Sequence, residues 1–192
     1  MIALLSTMIG AGLVVGFVLG GRVKGLTNIR FRLTPLLFLS LVMALLPFWF
    51  HGLEPSRRIF SLVAYAGVLL FLVINIAAER GAVRAGLLVI TLGWALNFVV
   101  IAANRGMPMS LWAYARSGQT AAVTEGSGGF YRIVIAHQGS IMRPLGDVIP
   151  IRPFHEVLSI GDCVLMLGVA VVIAAGMRTA GRHTAHVEQP AQ

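Results

Sequence analysis

The chain predicts an all-α integral membrane protein: a bundle of about five transmembrane helices with a small extracytoplasmic cap. Three observations carry this expectation. Hydrophobic residues make up 57% of the 192 residues and charged residues only 11%. Soluble domains carry about a quarter charged residues, so this chain has too little polar material to cover a water-facing surface. Five apolar runs approach or reach the roughly 20 residues that cross a hydrocarbon core of about 30 Å. One connection, between the fourth and fifth runs, is too long to be a plain link. Length and a mean hydropathy of +0.86 fit a single transmembrane domain over residues 1–177, followed by a polar tail at 178–192.

The runs fall at residues 2–20, 33–50, 59–78, 85–103 and 157–177. They are continuously apolar rather than alternating, which argues against a β-barrel. The first has no basic residues ahead of it and no small-x-small cleavage pattern after it, so it reads as a retained anchor, not a signal peptide. Within it Gly12, Gly16 and Gly20 recur every four residues. Such a stripe offers a face to a second copy or another membrane protein, or else packs inside the bundle, which is its commoner use. In the second run Pro35 and Pro47 lie near the ends, where proline disturbs a helix least. The third and fourth runs carry Asn75 and Asn97, and the fifth carries Asp162.

Charge placement predicts the orientation. Arg22, Lys24, Arg30 and Arg32 follow the first run, Arg80 and Arg84 follow the third, and Arg178 and Arg182 follow the fifth. Against these, the short second loop holds only Arg57 and Arg58, while the stretch 104–156, with five arginines of its own, is too long to weigh equally. The positive-inside rule then puts the N-terminus outside, the C-terminal tail in the cytoplasm, and the stretch 104–156 outside. The net charge of +8 comes from arginines that flank apolar runs, which suits anionic lipid headgroups. With no aromatic-interleaved basic stripe and no recognition motif, nucleic acid is not an expected partner; membrane lipids are.

The stretch 104–156 reads as a folded cap. Ser110 suits an N-cap for a short helix bearing Trp112 and Tyr114 at the headgroup level. Residues 130–136 are β-branched and aromatic enough for a short strand, and 126–129 form a flexible glycine–serine link. Pro144, Pro150 and Pro153 hold the return to the fifth run extended. The tail, with His183 and His186, reads as disordered.

The chemistry gathers where the cap meets the bundle. If the fourth helix ends near Asn104, Asn97 lies about 10 Å below that end. A fifth helix starting near Val157 places Asp162 roughly 7–8 Å deep, so Asn97 and Asp162 can meet. An ionisable group at such a depth is expensive and marks a functional-site hypothesis. Two carboxylates sharing a low-dielectric site divide into an acid and a base, and Asp147 and Asp162 are the candidates for that catalytic pair. The plain structural alternative pairs Asp147 with Arg143 or Arg152 and leaves Asp162 capping or packing. Asn97, Asn104, Arg105, His137, Arg143, Arg152 and His155 are the candidate binding residues. No histidine pair stands at ligand spacing in the cap, and no Walker, dinucleotide or nucleophile-elbow motif appears, so no metal or cofactor is expected. The lone Cys163 reads as a packing residue.

Gly20-Gly21-Arg22, then Asn97 to Asn104 running into Gly106-Met107-Pro108-Met109-Ser110, resemble an uncharacterised bacterial membrane-protein family. So do Leu145-Gly146-Asp147-Val148-Ile149-Pro150 and Leu158-Ser159-Ile160-Gly161-Asp162. That family is a domain of unknown function found in Actinobacteria and Firmicutes. The resemblance implies a multi-helix plasma-membrane protein and supplies no activity. A more local likeness is to lipoprotein signal peptidase, through Asn104-Arg105-Gly106 and Ser159-Ile160-Gly161-Asp162. Ser159 stands where that family has asparagine, and its Asn-x-x-Asp motif has no counterpart around Asp147. Three functions are thus in play. The first is a binding or partner-interaction protein, favoured by the absence of a strong catalytic motif. The second is an intramembrane aspartyl-type hydrolase or transferase acting on a lipid-linked substrate. The third is a proton-coupled transporter, disfavoured because no inverted repeat is evident.

Overall fold

The computed structural model describes residues 2–50, 56–120 and 133–185, and these are mostly helical. Helix α1 spans Ile2–Val18, α2 Thr34–Trp49, α3 Arg57–Ala78 and α4 Gly81–Asn104. A short helix α5, Leu111–Arg116, and the long α6, Ile160–Ala185, follow. Three helical stretches are long and apolar enough to cross a membrane: Ile59–Ala78, Gly81–Asn104 and Ile160–Arg178. Helices α1 and α2 are equally apolar but shorter, at 17 and 16 residues.

Local chemistry sets most of the ends. Pro35 sits in the first turn of α2, where its missing N–H removes no helical bond. Only Glu79 and Arg80 separate α3 from α4, so these helices form a tight antiparallel hairpin. Helix α4 stops at Arg105, whose left-handed backbone (φ +62°) turns the chain aside, and the Gly106 N–H takes up the Ile101 carbonyl at 3.1 Å.

Helices α4 and α6 form the central antiparallel pair, and glycines bring their backbones together. A Cβ built on Gly93 would stand 2.5 Å from the Gly161 carbonyl oxygen and from the Leu165 nitrogen. One on Gly168 would stand 2.6 Å from the Ile90 nitrogen, and one on Gly86 2.9 Å from the Val172 nitrogen. Small residues at this contact replace side-chain interdigitation with direct backbone packing, a membrane-helix device. Helix α3 packs on α4, and α2 on α3. Their shared core contains Val68, Phe71, Leu72, Val83, Leu87 and Val172.

Helix α1 lies along α6 in the same direction. Gly12 faces Ala170 and Ile173, and Gly16 faces Met177. Gly20 lies beyond the helix end, in left-handed backbone with open space around it. The chain then turns through a 3-10 helix, Val23–Asn28, pressed against the end of α6, and the Arg22 N–H donates to the Met177 carbonyl at 2.8 Å. Arg22, Lys24, Arg30, Arg32, Arg80, Arg84 and Arg178 therefore all belong to one end of the bundle.

The opposite end carries the segment between α4 and α6. Strand β1, Met107–Met109, pairs in parallel with β2, Ile133–Ile135. Strand β3, Ile149–Ile151, pairs antiparallel with β4, Glu156–Leu158. Met107 and Pro108 are fully buried, and Met107 packs with Tyr65, Val100 and Ile101 of the helices. Leu158 joins Met166 of α6, with Met8 of α1 against them. The segment is thus anchored into the bundle through its own core.

The structure amends several expectations. Helix α6 begins at Ile160, not at 157, because Val157 and Leu158 are committed to strand β4. It continues to Ala185, so residues 178–185, expected as disordered tail, are helical. The expected strand at 130–136 is realised at Ile133–Ile135. The glycine–serine link at 126–129 and His186 lie outside the described residues. Ser110 does cap α5, its hydroxyl accepting from the Ala113 N–H. Pro150 lies in β3 as an extended residue, but Pro144 and Pro153 each start a 3-10 turn.

The outward surface of the helices is apolar. Val14, Phe17 and Val18 of α1 are exposed, as are Phe38, Leu41 and Val42 of α2. Ile59, Leu70 and Val73 of α3, Leu88, Leu92 and Val99 of α4, and Leu167 of α6 are exposed too.

Candidate functional site

The polar centre grows out of the first turn of α6. Ser159 occupies the N-cap position and Asp162 the third helical position, which is the S-x-x-D form of a capping box. The Ser159 hydroxyl oxygen accepts from the Asp162 N–H at 2.9 Å. In return Asp162 Oδ2 accepts from the Ser159 N–H at 3.0 Å. The pairing is reciprocal, and it satisfies two backbone donors that a helix start otherwise leaves orphaned. A carboxylate in the first turn also complements the positive end of the helix dipole.

Helix α4 closes the network from the other side. Asn97 Nδ2 donates to Asp162 Oδ1 at 2.8 Å, and Asn97 Oδ1 lies 2.9 Å from the Ser159 hydroxyl. That hydroxyl is also 2.7 Å from Asp162 Oδ2. It has one proton, so it donates to Asn97 or to Asp162 at a given moment. Asn97 and Ser159 are buried, at 2% and 0% exposure. Asp162, half-buried, draws donors from Asn97, from the Ser159 backbone and in part from the Ser159 hydroxyl. Gly161 makes the approach possible, since a Cβ there would collide with Asn97 Oδ1.

Asp147 lies on the connecting segment next to this centre and is buried at 3% exposure. Its N–H donates to the Pro108 carbonyl at 2.8 Å and its carbonyl accepts from the Ser110 N–H at 2.9 Å. These bonds continue the sheet past β1, through a parallel bridge between Met109 and Asp147. Gly146 is required just before it, because any side chain would meet the Pro108 carbonyl oxygen. The Val148 N–H donates to the Leu158 carbonyl at 3.1 Å, which holds Asp147 close to Ser159, and Tyr65 of α3 packs on Met107 and lies tilted against Trp94 at 4.6 Å between ring centroids. Asp162, Asn97 and Ser159 therefore make up one polar centre where the segment meets the helices, and Asp147 and Tyr65 flank it.

The other candidate residues are distributed differently. Asn104 Nδ2 donates to the Val100 and Ile141 carbonyls at 2.9 and 2.8 Å, and its Oδ1 accepts from the Ile141 N–H at 2.7 Å. It is a clamp between the end of α4 and the segment. Arg105, Arg143 and Arg152 are exposed on the surface, whereas Asp147 is buried. His137 is exposed in a tight turn, its Nδ1 accepting from the Gly139 N–H at 3.1 Å. His155 is exposed with left-handed backbone, and its Nδ1 lies 3.2 Å from the Gly118 carbonyl oxygen. Among the described residues no cluster of three or more histidine, cysteine or acidic side chains is placed to hold a metal ion.

Ser159 and Tyr65 were not among the expected site residues. Ser159 was legible: a serine three residues before an acid, opening an apolar run, is the sequence signature of a capping box. Tyr65 carried no such signal, because it is one aromatic in an apolar helix and reaches the centre only through the packing of α3 on α4.

Asn75 repeats the Asn104 device at the basic end. Its Nδ2 donates to the Phe71 and Arg32 carbonyls at 2.7 and 3.0 Å, and its Oδ1 accepts from the Arg32 N–H at 2.7 Å.

Comparison with curated proteins and with solved structures finds no match. The model of a family of unknown function, DUF5317, matches residues 28–174, from the first connection to late in α6. The match takes in Asn75, Asn97, Asp147, Ser159 and Asp162, and begins after Gly20-Gly21-Arg22. It covers well over half of the chain, which therefore belongs to DUF5317.

Proposed function

We propose that this chain is a multi-pass protein of the bacterial plasma membrane that binds a ligand or partner through the segment between α4 and α6. In this reading five helices span the bilayer, the segment is an extracytoplasmic cap, and the C-terminus is cytoplasmic. The engagement of Asp162 carries the functional part. A carboxylate held by its own helix cap and by Asn97 across the helix pair is used to fix the cap on the bundle. Donors on both carboxylate oxygens, from the Asn97 amide and the Ser159 N–H, tie the start of α6 to α4.

The apolar outer surfaces of α1 and α2 support counting them as spans. Exposed contiguous apolar surface of that size is a liability in water and ordinary against lipid. Their shorter lengths fit a bilayer that thins locally or flanking residues that reach for the interface. The short connections support the segment's outward orientation, with eight basic residues at the end away from it against Arg57 and Arg58 at the other, the segment's own five arginines counting less because it is long.

One observation favours the aspartyl-enzyme alternative: a second carboxyl, Asp147, is buried on the segment that leads into α6. Conservative variants separate the two readings. Photocrosslinkers placed at exposed cap positions such as Gln138 should capture the same lipid or protein from native membranes in wild type and in Asp162→Asn. An acid–base role predicts instead that Asp162→Asn and Asp147→Asn each abolish turnover of a lipid-linked substrate with no change in thermal stability. That outcome would overturn the binding reading.

A further inference from the structure

A second polar feature of the segment shares no residue with the Asp162 centre. A cleft of about 510 Å³ opens between the end of α5 and the β3–β4 hairpin, lined by Ala115, Arg116, Gly118, Pro150 and Arg152. Its two charged walls are both arginine. Arg116 closes the last turn of α5 and Arg152 follows β3 directly. Among the described residues no acid lines the cleft, and Glu156, four residues after Arg152, is on β4.

We propose that this cleft binds a phosphate group carried on a larger molecule, with Arg116 and Arg152 as its two ligands. Two like charges facing one cleft repel each other unless an anion sits between them. Guanidinium forks match phosphate oxygens in bidentate fashion, and a tetrahedral phosphate can face two forks at once. The size of the cleft favours an ester over the bare ion, since it falls within the roughly 300–1,000 Å³ of small-molecule sites.

The surroundings are built to hold the walls in place. His155 Nδ1 meets the Gly118 carbonyl oxygen across the cleft at 3.2 Å, tying the end of α5 to the hairpin. Gly118 has φ +83°, and a Cβ there would meet the His155 ring at 3.0 Å, so glycine alone suits both backbone and space. The Arg116 guanidinium sits 5.2 Å from the Trp112 ring centroid. Trp112 and its neighbour Leu111 are exposed, at 61% and 52%, on the same short helix as Arg116. A tryptophan and a leucine beside two arginines fit the boundary between headgroups and acyl chains. An arginine at a helix C-terminus also serves the helix dipole, but that explains Arg116 alone and leaves Arg152 without a role.

The inference rests on reading the segment as a recognition surface, and it is tested apart from topology. Full-length protein in detergent is titrated calorimetrically with dioctanoyl phosphatidic acid, dioctanoyl phosphatidylcholine and inorganic phosphate. Wild type should bind phosphatidic acid well above phosphatidylcholine. Arg116→Gln and Arg152→Gln should each weaken that binding roughly tenfold or more, the loss expected for a charge-assisted phosphate contact. Arg152→Lys should recover part of it. Competition by inorganic phosphate at similar concentration would make the free ion the ligand; failure to compete would make it the lipid ester. No binding by wild type, or equal binding by wild type and both glutamine variants, would overturn the proposal. Either result leaves the cap reading standing, because a topology reporter, not this titration, decides that.

Discussion

Removing the Ser159 hydroxyl strips the α6 cap of its side-chain acceptor and takes away the single proton shared between Asn97 Oδ1 and Asp162 Oδ2. Ser159→Ala should lower stability by about 1–2 kcal/mol, the usual range for an N-cap. Asp162→Ala should cost more, about 2–3 kcal/mol, because it leaves the Asn97 amide and the Ser159 N–H without their acceptor in a buried site. Asp162→Asn keeps the shape and one acceptor oxygen and should fall below both. Thermal unfolding in detergent checks the order, and reversal of the first two would refute the capping-box account. A double-mutant cycle of Ser159→Ala with Asn97→Ala should give a coupling of about 0.5 kcal/mol or more. Strict additivity would mean that the two residues do not act through one network. At this scale the sequence was half legible. The Asn97–Asp162 meeting followed from counting residues along two antiparallel helices. The part Ser159 plays in the capping was missed because Val157 and Leu158 look like the start of the apolar run. They are strand residues, and Leu158 is apolar because it packs against Ile149, Ile151 and Met166.

Glycines decide the packing of the elements, and they divide sharply by what surrounds them. Gly93→Ala drives a methyl group against the α6 backbone at Gly161 and Leu165 and should destabilise by about 1–3 kcal/mol. Gly10→Ala meets nothing within 4 Å and should be neutral or stabilising, by up to about 1 kcal/mol from helix propensity. If the two variants unfold at the same temperature, the α4–α6 backbone contact is not what holds this pair. The stripe visible in the sequence was the one on α1, where spacing of four repeats cleanly. In the fold Gly12 and Gly16 spend that smallness on α6. The α4–α6 contact was not legible because its glycines are seven apart on each helix, Gly86 with Gly93 and Gly161 with Gly168, and only the antiparallel register brings the two sets together. Helix ends behaved similarly. Those with a local signal, such as Ser110 and Pro35, were readable. The start of α6 depended on a hairpin formed with residues well before it.

For the whole molecule, the basic short connections at one end and the folded segment at the other make a sidedness prediction. A reporter fused after Gly128 should be active as an extracytoplasmic probe, and one after Gln192 as a cytoplasmic probe. The opposite pair would invert the proposed orientation. Composition alone revealed the class, since so few charges cannot clothe a soluble domain. The number of spans is harder, because α1 and α2 are apolar yet shorter than the hydrocarbon core, and length is the property on which that reading turns. The fold of the segment was visible only in fragments. Its strands are three residues long and derive their stability from partners far away in sequence, as β1 does from β2.

Asn75 and Asn104 sit at opposite ends of the α3–α4 hairpin, and each grips the N–H and carbonyl of a single residue elsewhere in the chain. Such a grip is blind to the side chain it holds. Any amino acid but proline presents the same two groups at position 32 or 141, whereas no other side chain presents an amide of that reach from positions 75 and 104. The evolutionary record should therefore be lopsided. Among relatives, the two asparagines should be nearly invariant while Arg32 and Ile141 drift freely, with proline excluded from both. Drift at 75 or 104 without compensating change at its target would show that the clamps are dispensable.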